Sequence, residues 1–397
     1  KIGDDVFNGC TSLSSVTFEG RTAQLTVGYN TAGADEGLFV DAPLTTVNLN
    51  RDIIYTFPAG SLDTPVEGPF GNKTSLVNIT LGDNAKTLTG YMFANAGIES
   101  IDLNKVTTIG KGALQGIKKI TELTIPASVT SIEDFAFKDW TSLANLTFAS
   151  GSSDLTIGFQ PGTAQYGPFY QSPLAKIVVN RSLVLTSAYA SACDSSNEGL
   201  FSTSSGNLTS TISLGGQVGK IPEYMFGSLP LTEITIPATV TEISNDAFTD
   251  CKKLRSVTFE ASTTTLKVGY NTAGDHDGLF VDSPLETVVL NREINYTFPN
   301  PDTAYEGLFG VKPTLKSITI GDNVKTLSGY MFAGAGVTSI NLNKVTTIGN
   351  GALSGIKFTD ITIPATVTEI GNDVFNGCTS LKSVIFEGST AQLTVGF

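Results

Sequence analysis

The sequence predicts a β-rich α/β solenoid: a right-handed superhelix with one long parallel sheet, short helical turns and extra hairpin insertions. Three observations predict it. A strand pattern, apolar-x-x-apolar-x-apolar, recurs fifteen times along 397 residues. A second period of 111 to 130 residues overlies the first. And a single unit, such as Leu231 to Leu254, LTEITIPATVTEISNDAFTDCKKL, has an apolar face and nothing of its own to cover it. Such a unit is stable only when stacked on copies of itself.

Within that unit, Ile234 and Ile236 fall on one face of an extended segment. Pro237 removes a backbone donor and ends pairing of the strand. Val240 and Ile243 form a second, shorter apolar pair, and Asn245 or Asp246 is placed to cap a helical turn carrying Ala247, Phe248 and Cys251. At Leu254 the cycle restarts with LRSVTF. Strand cores begin at Val16, Val47, Ile79, Ile101, Leu123, Leu146, Ile177, Ile212, Ile234, Val257, Val288, Ile318, Ile340, Ile361 and Val384; only the Ile212 copy lacks the leading apolar residue. Ahead of most of them lies a small-or-apolar pair ending in Phe or Leu, such as Val6-Phe7, Met92-Phe93, Ala136-Phe137, Met225-Phe226 and Ala352-Leu353.

Ile2, Ile132, Ile243 and Ile370 open matching segments, IGDDVFNGC, IEDFAFKDW, ISNDAFTDC and IGNDVFNGC, spaced 130, 111 and 127 residues apart. One solenoid over 1–397 is expected, with superunits at about 2–131, 132–242 and 243–369 and a partial fourth at 370–397. The middle superunit lacks the counterpart of LNKVTTIGKGALQGIKK, so the pattern is that of a duplicated block of repeats.

ELTIPASVTSIEDFAFKDW, EITIPATVTEISNDAFTDC and DITIPATVTEIGNDVFNGC closely resemble the BspA-type leucine-rich repeat family, and looser versions cover essentially the whole chain. The resemblance implies a leucine-rich repeat fold and a bacterial surface or secreted protein linked to adhesion. Asn follows the strand core by three residues only at Asn84 and Asn323, so the usual horseshoe curvature is not expected to carry over.

Composition narrows the function classes. Charged residues are 15%, so the surface falls to Thr, Ser, Asn and Gly. With a net charge of −13, nucleic acid and anionic membranes are poor partners and neither nucleic-acid binding nor membrane insertion is expected, because phosphate contacts need clustered Lys and Arg. No apolar run approaches the ~18 residues of a membrane-spanning helix, and no signal peptide is present. Lys1 begins mid-repeat and Phe397 ends mid-hairpin, so a piece of a longer protein is expected. Cys10, Cys251 and Cys378 share one repeat position, filled by Trp140 in the second superunit, which argues for a buried apolar slot. Stacked repeats hold these sulfurs roughly 20 Å or more apart, too far for a disulfide. They are expected to be reduced and buried; Cys193, in an insertion, is the one thiol open to pairing with another molecule.

Catalytic chemistry is sparse. His276 is the sole histidine, no motif supplies it with a nucleophile, and Asp35 replaces it in the matching GADEGLF. No enzyme activity and no cofactor are expected. An acid precedes Gly-Leu/Pro-Phe at Glu36, Glu67, Glu198, Asp277 and Glu306; each repeat offers too few oxygens for calcium, so no metal is assigned. The long repeats add extended stretches, including QLTVGYNTAG, IIYTFPAG, LKVGYNTAG and INYTFPNP, read as strands with turns.

Two surfaces are candidates for recognition. Arg51, Arg181 and Arg292 recur at one place in the superunit, with Tyr29 and Tyr55, Phe159 and Tyr189, and Tyr270 and Tyr296 nearby in sequence. Arg with Tyr is a hot-spot composition, and a periodic ligand would gain avidity from three weak sites; the plainer alternative is a salt bridge copied by duplication. The second surface is the outward face of the main sheet: Ser15 and Thr17, Glu122 and Thr124, Glu233 and Thr235, Ser317 and Thr319. Thr is also a good strand former, which accounts for the same residues without a ligand. The reading is a monomeric, non-enzymatic cell-surface or secreted binding and adhesion module for an extracellular protein or polysaccharide. The alternatives are a structural stalk, or a glycan-binding protein with sugar subsites on the hairpins.

Overall fold

The computed structural model describes residues 1–28, 38–55, 68–158, 167–185, 199–201, 211–269, 279–280, 282–296 and 307–396. It comprises two compact units, Lys1–Thr211 and Ile212–Phe397. Each is a stack of coils, one coil per repeat, and every described strand pairing is parallel.

Thirteen of the fifteen expected strand cores form four-residue strands. In the first unit Ser15–Phe18, Thr46–Leu49 and Asn78–Leu81 make one sheet, and Glu122–Ile125, Asn145–Phe148 and Lys176–Val179 belong to another. In the second unit Glu233–Ile236, Ser256–Phe259, Thr287–Leu290 and Ser317–Ile320 pair in order, and Asp360–Ile363 pairs with Ser383–Phe386. Alternate residues are buried and exposed, as in Glu122–Ile125 and Glu233–Ile236, so the apolar side packs inward. Phenylalanines form the spine beneath. Phe39, Phe70 and Phe93 stack at 5.5 and 5.3 Å, and Phe248, Phe280, Phe309 and Phe332 at 4.9, 5.7 and 5.3 Å, close to the ~4.8 Å step of a ladder.

The single long sheet expected from the repeats is interrupted, and each interruption falls where one hydrogen bond is lost. In eight of the nine described coils paired to a predecessor the residue after the strand donates its N–H to the preceding coil: Asn50 to Phe18, Gly82 to Leu49, Ala149 to Ile125, Asn180 to Phe148, Glu260 to Ile236, Asn291 to Phe259, Gly321 to Leu290 and Glu387 to Ile363, at 2.8 to 3.3 Å; Thr211–Leu214 pairs without it. At Glu122–Ile125, Glu233–Ile236 and Asp360–Ile363 that residue is Pro126, Pro237 or Pro364, which has no N–H to give. None of these three strands makes a main-chain hydrogen bond to the coil before it, among the described residues. The Ile101 and Ile340 coils, which precede two of them, form no main strand. There the corresponding N–H, of Asn104 or Asn343, is taken at 2.9 Å by the side chain of Asp102 or Asn341 two residues earlier.

A second set of short strands holds the coils together across these gaps. Thr87–Leu88, Thr108–Ile109 and Ser131–Ile132 pair continuously beside the Glu122 gap. Lys220–Ile221 pairs with Glu242–Ile243 beside the Glu233 gap, and Thr347–Ile348 with Glu369–Ile370 beside the Asp360 gap. The extended stretches expected to form hairpins supply strands of this same set. Leu155–Ile157 and Leu183–Leu185 pair in parallel with each other, as do Leu266–Val268 and Ile294–Tyr296; their continuations lie outside the described residues.

The expected helical turns are absent: no helix occurs among the described residues. Each short coil instead turns on two left-handed residues four apart. Tyr91 and Asn95, Phe135 and Asp139, Asp246 and Asp250, and Gly351 and Gly355 all have φ between 53 and 67°. A left-handed residue ends a right-handed helix, so the two cannot coexist over five residues. The shared slot also differs from expectation. Cys251 is buried and its thiol is pushed up to about 12 by burial. Cys10 and Cys378 are half-buried. Cys193 is outside the described residues.

Asp134 sits beneath Gly158 of the next coil, where a Cβ would approach its Oδ1 at 2.9 Å. Burial pushes its carboxyl up to about 6, with Glu133 adding to the rise and Lys111 opposing it. The folded form thus holds a proton that the unfolded chain loses near its ordinary value, so this contribution to stability is full below about pH 4 and lost as pH rises through about 6. Asn245 and Asn372 stand at the matching positions. Asp134→Asn is expected to remove this loss, melting higher than the parent at pH 7 and alike at pH 4; equal melting shifts at both would overturn the assignment. Hydrogen exchange tests the gaps. Asn145 and Ala149 donate back to Thr121 and Ile125, so by strand alternation Glu122 and Thr124 face the open side. Their amides should exchange roughly 100-fold faster than those of Asn145 and Thr147.

Candidate functional site

The structure turns Arg181 and Arg292 inward and leaves Arg51 half-buried. Arg181 and Arg292 are 0% exposed. Arg181 donates to the Ser153 carbonyl from Nη2 at 2.7 Å and Nε at 3.2 Å, and from Nη1 to Val129 at 2.9 Å, with longer contacts to Ala127 and Pro126. Arg292 repeats the pattern, Nη2 to Thr264 at 2.9 Å and Nη1 to Pro237 and Ala238 at 3.2 Å. Arg51 donates to Ala23 at 2.8 Å. Ala23, Ser153 and Thr264 are each 28 residues before their arginine, so one geometry is copied three times. Burial lowers the pKa of both Arg181 and Arg292, Asp154 opposing this at Arg181. The salt-bridge alternative does not describe them either, since their hydrogen-bond acceptors are main-chain carbonyls.

Tyr55 and Tyr296 are also buried, and their hydroxyls donate to the carbonyls of Gly90 and Gly329 in the following coil. Tyr29, Tyr270, Phe159 and Tyr189 lie outside the described residues, as do His276 and the acids Glu36, Glu67, Glu198, Asp277 and Glu306. Of the residues nominated as a ligand-facing comb, then, those described bind the protein's own backbone.

What faces outward are the interrupted sheet edges. A groove of about 540 Å³ runs between residues 99–104 and 119–126, lined by Glu99, Asp102, Lys119, Glu122, Thr124 and Pro126 among others. Lys119 is held by Glu99 at 2.7 Å, so Glu122 and Asp102 give the lining a net negative charge, with Lys105 acting on Asp102 from nearby; Glu122 accepts a bond from Asn145 at 3.0 Å. A second groove, of about 330 Å³, separates residues 212–214 from Glu233–Ile236, and Glu233 is its only charged lining residue. Both lie where a Pro-terminated strand has lost its upstream partner. Sequence reasoning identified the polar face but not the grooves, although the Ile-Pro after each acid-led strand was a legible signal.

The repeats themselves are recognisable. A model of the BspA type leucine rich repeat region matches six copies, over residues 64–158, 219–271 and 303–395. The chain belongs to this family. Each matched segment of the BspA-type repeat contains one open edge, at Glu122, Glu233 or Asp360. No curated protein matches. Among solved structures, a leucine-rich repeat protein from Bacteroides ovatus is similar at 18% identity, over 96% of this chain and 83% of that one, with a TM-score of 0.46. A leucine rich cell surface protein from Faecalibacterium prausnitzii is similar at 19% identity over 97% and 93%, TM-score 0.28. The pneumococcal vaccine antigen PcpA is similar at 13% identity over 98% and 90%, TM-score 0.28.

The arginine geometry gives a direct test. Arg181→Ala should destabilise the protein by about 3–5 kcal/mol, since it strands several carbonyls in the interior. Arg181→Lys should recover less than half of that, because an ammonium cannot reproduce the planar fork. A loss below about 1 kcal/mol in chemical denaturation would remove the structural role.

Proposed function

We propose that this protein is a non-enzymatic binding or adhesion module that acts outside a bacterial cell on an extracellular protein or glycan. The observation that carries this reading is the outward main-sheet face, an exposed array of Thr, Ser and acids such as Glu122, Thr124, Glu233, Thr235, Asp360 and Thr362, opened by grooves. Membership of a family built of BspA-type repeats supports it, as does a charged fraction of only 15%. No described helix is long and apolar enough to cross a membrane. Right-handed winding of the coils belongs to the same reading, from the handedness of crossovers between parallel strands.

The test is binding of the whole chain to a panel of immobilised extracellular matrix proteins and glycans. Saturable binding to a subset is expected, and Thr124→Arg with Thr235→Arg should weaken it at least tenfold without lowering the melting temperature. A flat response across the panel would overturn this reading in favour of a stalk.

A further inference from the structure

The three open edges share a design. Each is a four-residue strand led by an acid, ELTI, EITI or DITI, and each is followed by a proline. Each is paired on its downstream side only. Strand alternation leaves the N–H and C=O of Glu122 and Thr124, and of their counterparts Glu233 and Thr235, and Asp360 and Thr362, directed at the gap. These groups repeat every second residue, about 6.6 Å along the strand. That spacing is the complement of another extended backbone. A sugar ring offers no such alternation of donors and acceptors.

Edges of this kind are normally blunted by a covering segment or by charge. At Glu122 and Glu233 the preceding coil lies on the far side of a groove, and at all three edges it makes no main-chain bond to the edge among the described residues. The coil step is nonetheless rigid, because the second strand set stays paired across it. The gap is thus a fixed feature of the coil stack. Its charge leans negative: Glu99, Asp102 and Glu122 against Lys119 line the first groove, Glu233 is the only charged lining residue of the second, and Asp360 leads the third edge.

We propose that the edges Glu122–Ile125, Glu233–Ile236 and Asp360–Ile363 each take an extended, Lys- or Arg-bearing polypeptide segment as an added strand. Main-chain bonds to the gap-facing groups supply affinity, and the leading acid selects a basic residue at the start of the segment. This rests on the binding-module reading and specifies its partner: an unfolded or loop segment of a basic protein.

The probe is a labelled octapeptide alternating Lys and Val, titrated into the full chain by fluorescence anisotropy. Two companions are an alternating Glu and Val octapeptide and the Lys-Val peptide with every backbone amide N-methylated. Each companion should bind at least tenfold more weakly. A Glu122→Lys, Glu233→Lys, Asp360→Lys triple variant, changed only at exposed positions, should lose at least tenfold with an unchanged circular dichroism spectrum. Hydrogen exchange should slow at Glu122 and Thr124 when the Lys-Val peptide is present. Equal binding of the N-methylated peptide would overturn strand addition, and equal binding of the Glu-Val peptide would overturn the basic preference. A chain that ignores all three peptides yet selects among folded matrix proteins or glycans refutes this proposal and keeps the broader reading; one that binds neither refutes both.

Discussion

The hydrogen bond given by the residue after each main strand decides how this protein is put together. A coil cannot satisfy the outer edge of its own backbone, so each buried N–H and C=O must find the coil before or after it. Where that last donor exists and no nearby side chain takes it, the strand pairs with its predecessor. Where proline removes it, the edge opens while the second strand set keeps the coils in register. The converse also occurs. Between Ile53–Ile54 and Thr87–Leu88 no strand pair forms, and Asp52 accepts the N–H groups of Lys86 and Thr87 at 2.7 and 2.8 Å, while the main strands Thr46–Leu49 and Asn78–Leu81 stay paired. Glu293 does the same for Lys325 and Thr326, at 2.7 and 3.3 Å. Interruptions in one strand set are thus covered by the other.

The same accounting explains why polar side chains lie inside. Irregular turns leave carbonyls with no ladder partner, and an unmet carbonyl in the interior costs free energy comparable to a lost hydrogen bond. Arg181 and Arg292 satisfy several at once with a planar fork, reaching back 28 residues and also 52 or more. Tyr55 and Tyr296 reach forward to Gly90 and Gly329. The shared slot works alike. Trp140 Nε1, Cys251 Sγ and Cys378 Sγ donate to Leu114, Phe226 and Leu353, at 2.5, 3.2 and 3.2 Å. Those three acceptors occupy one repeat position, so the slot calls for a donor as well as for apolar volume. That is why Trp can replace Cys there.

Binding capacity follows from the places where this accounting is left open. In the interior most polar groups find a partner in a neighbouring coil, with Ser128 Oγ, Ser283 Oγ and the Nε of Arg51 and Arg292 as exceptions, and the outward main-sheet face is polar but mostly paired along its edges. At Glu122–Ile125 and Glu233–Ile236, both acid-led and proline-ended, main-chain donors and acceptors are left unpaired beside a groove, and Asp360–Ile363 has the same unpaired upstream side.

Periodicity in the sequence determined the family and the buried side of strands such as Glu122–Ile125 and Glu233–Ile236, because burial on a two-residue alternation is a local property of each segment. The proline after ELTI, EITI and DITI was equally visible, and so was its missing donor. What only the tertiary structure decided is where each polar group finds its partner. Arg181 and Val129 meet across 52 residues, and no local pattern distinguishes an arginine aimed at a ligand from one aimed at the carbonyls of an earlier coil. The turns were misjudged for a related reason. Asn245 and Asp246 look like a helix cap in isolation, but Phe226 and Ser228 in the preceding coil donate to Ala247 and Thr249 at 2.9 Å, and this pairing holds the segment in its left-handed turn. Side-chain alternation is written residue by residue, whereas hydrogen-bond partnership is a property of the stack.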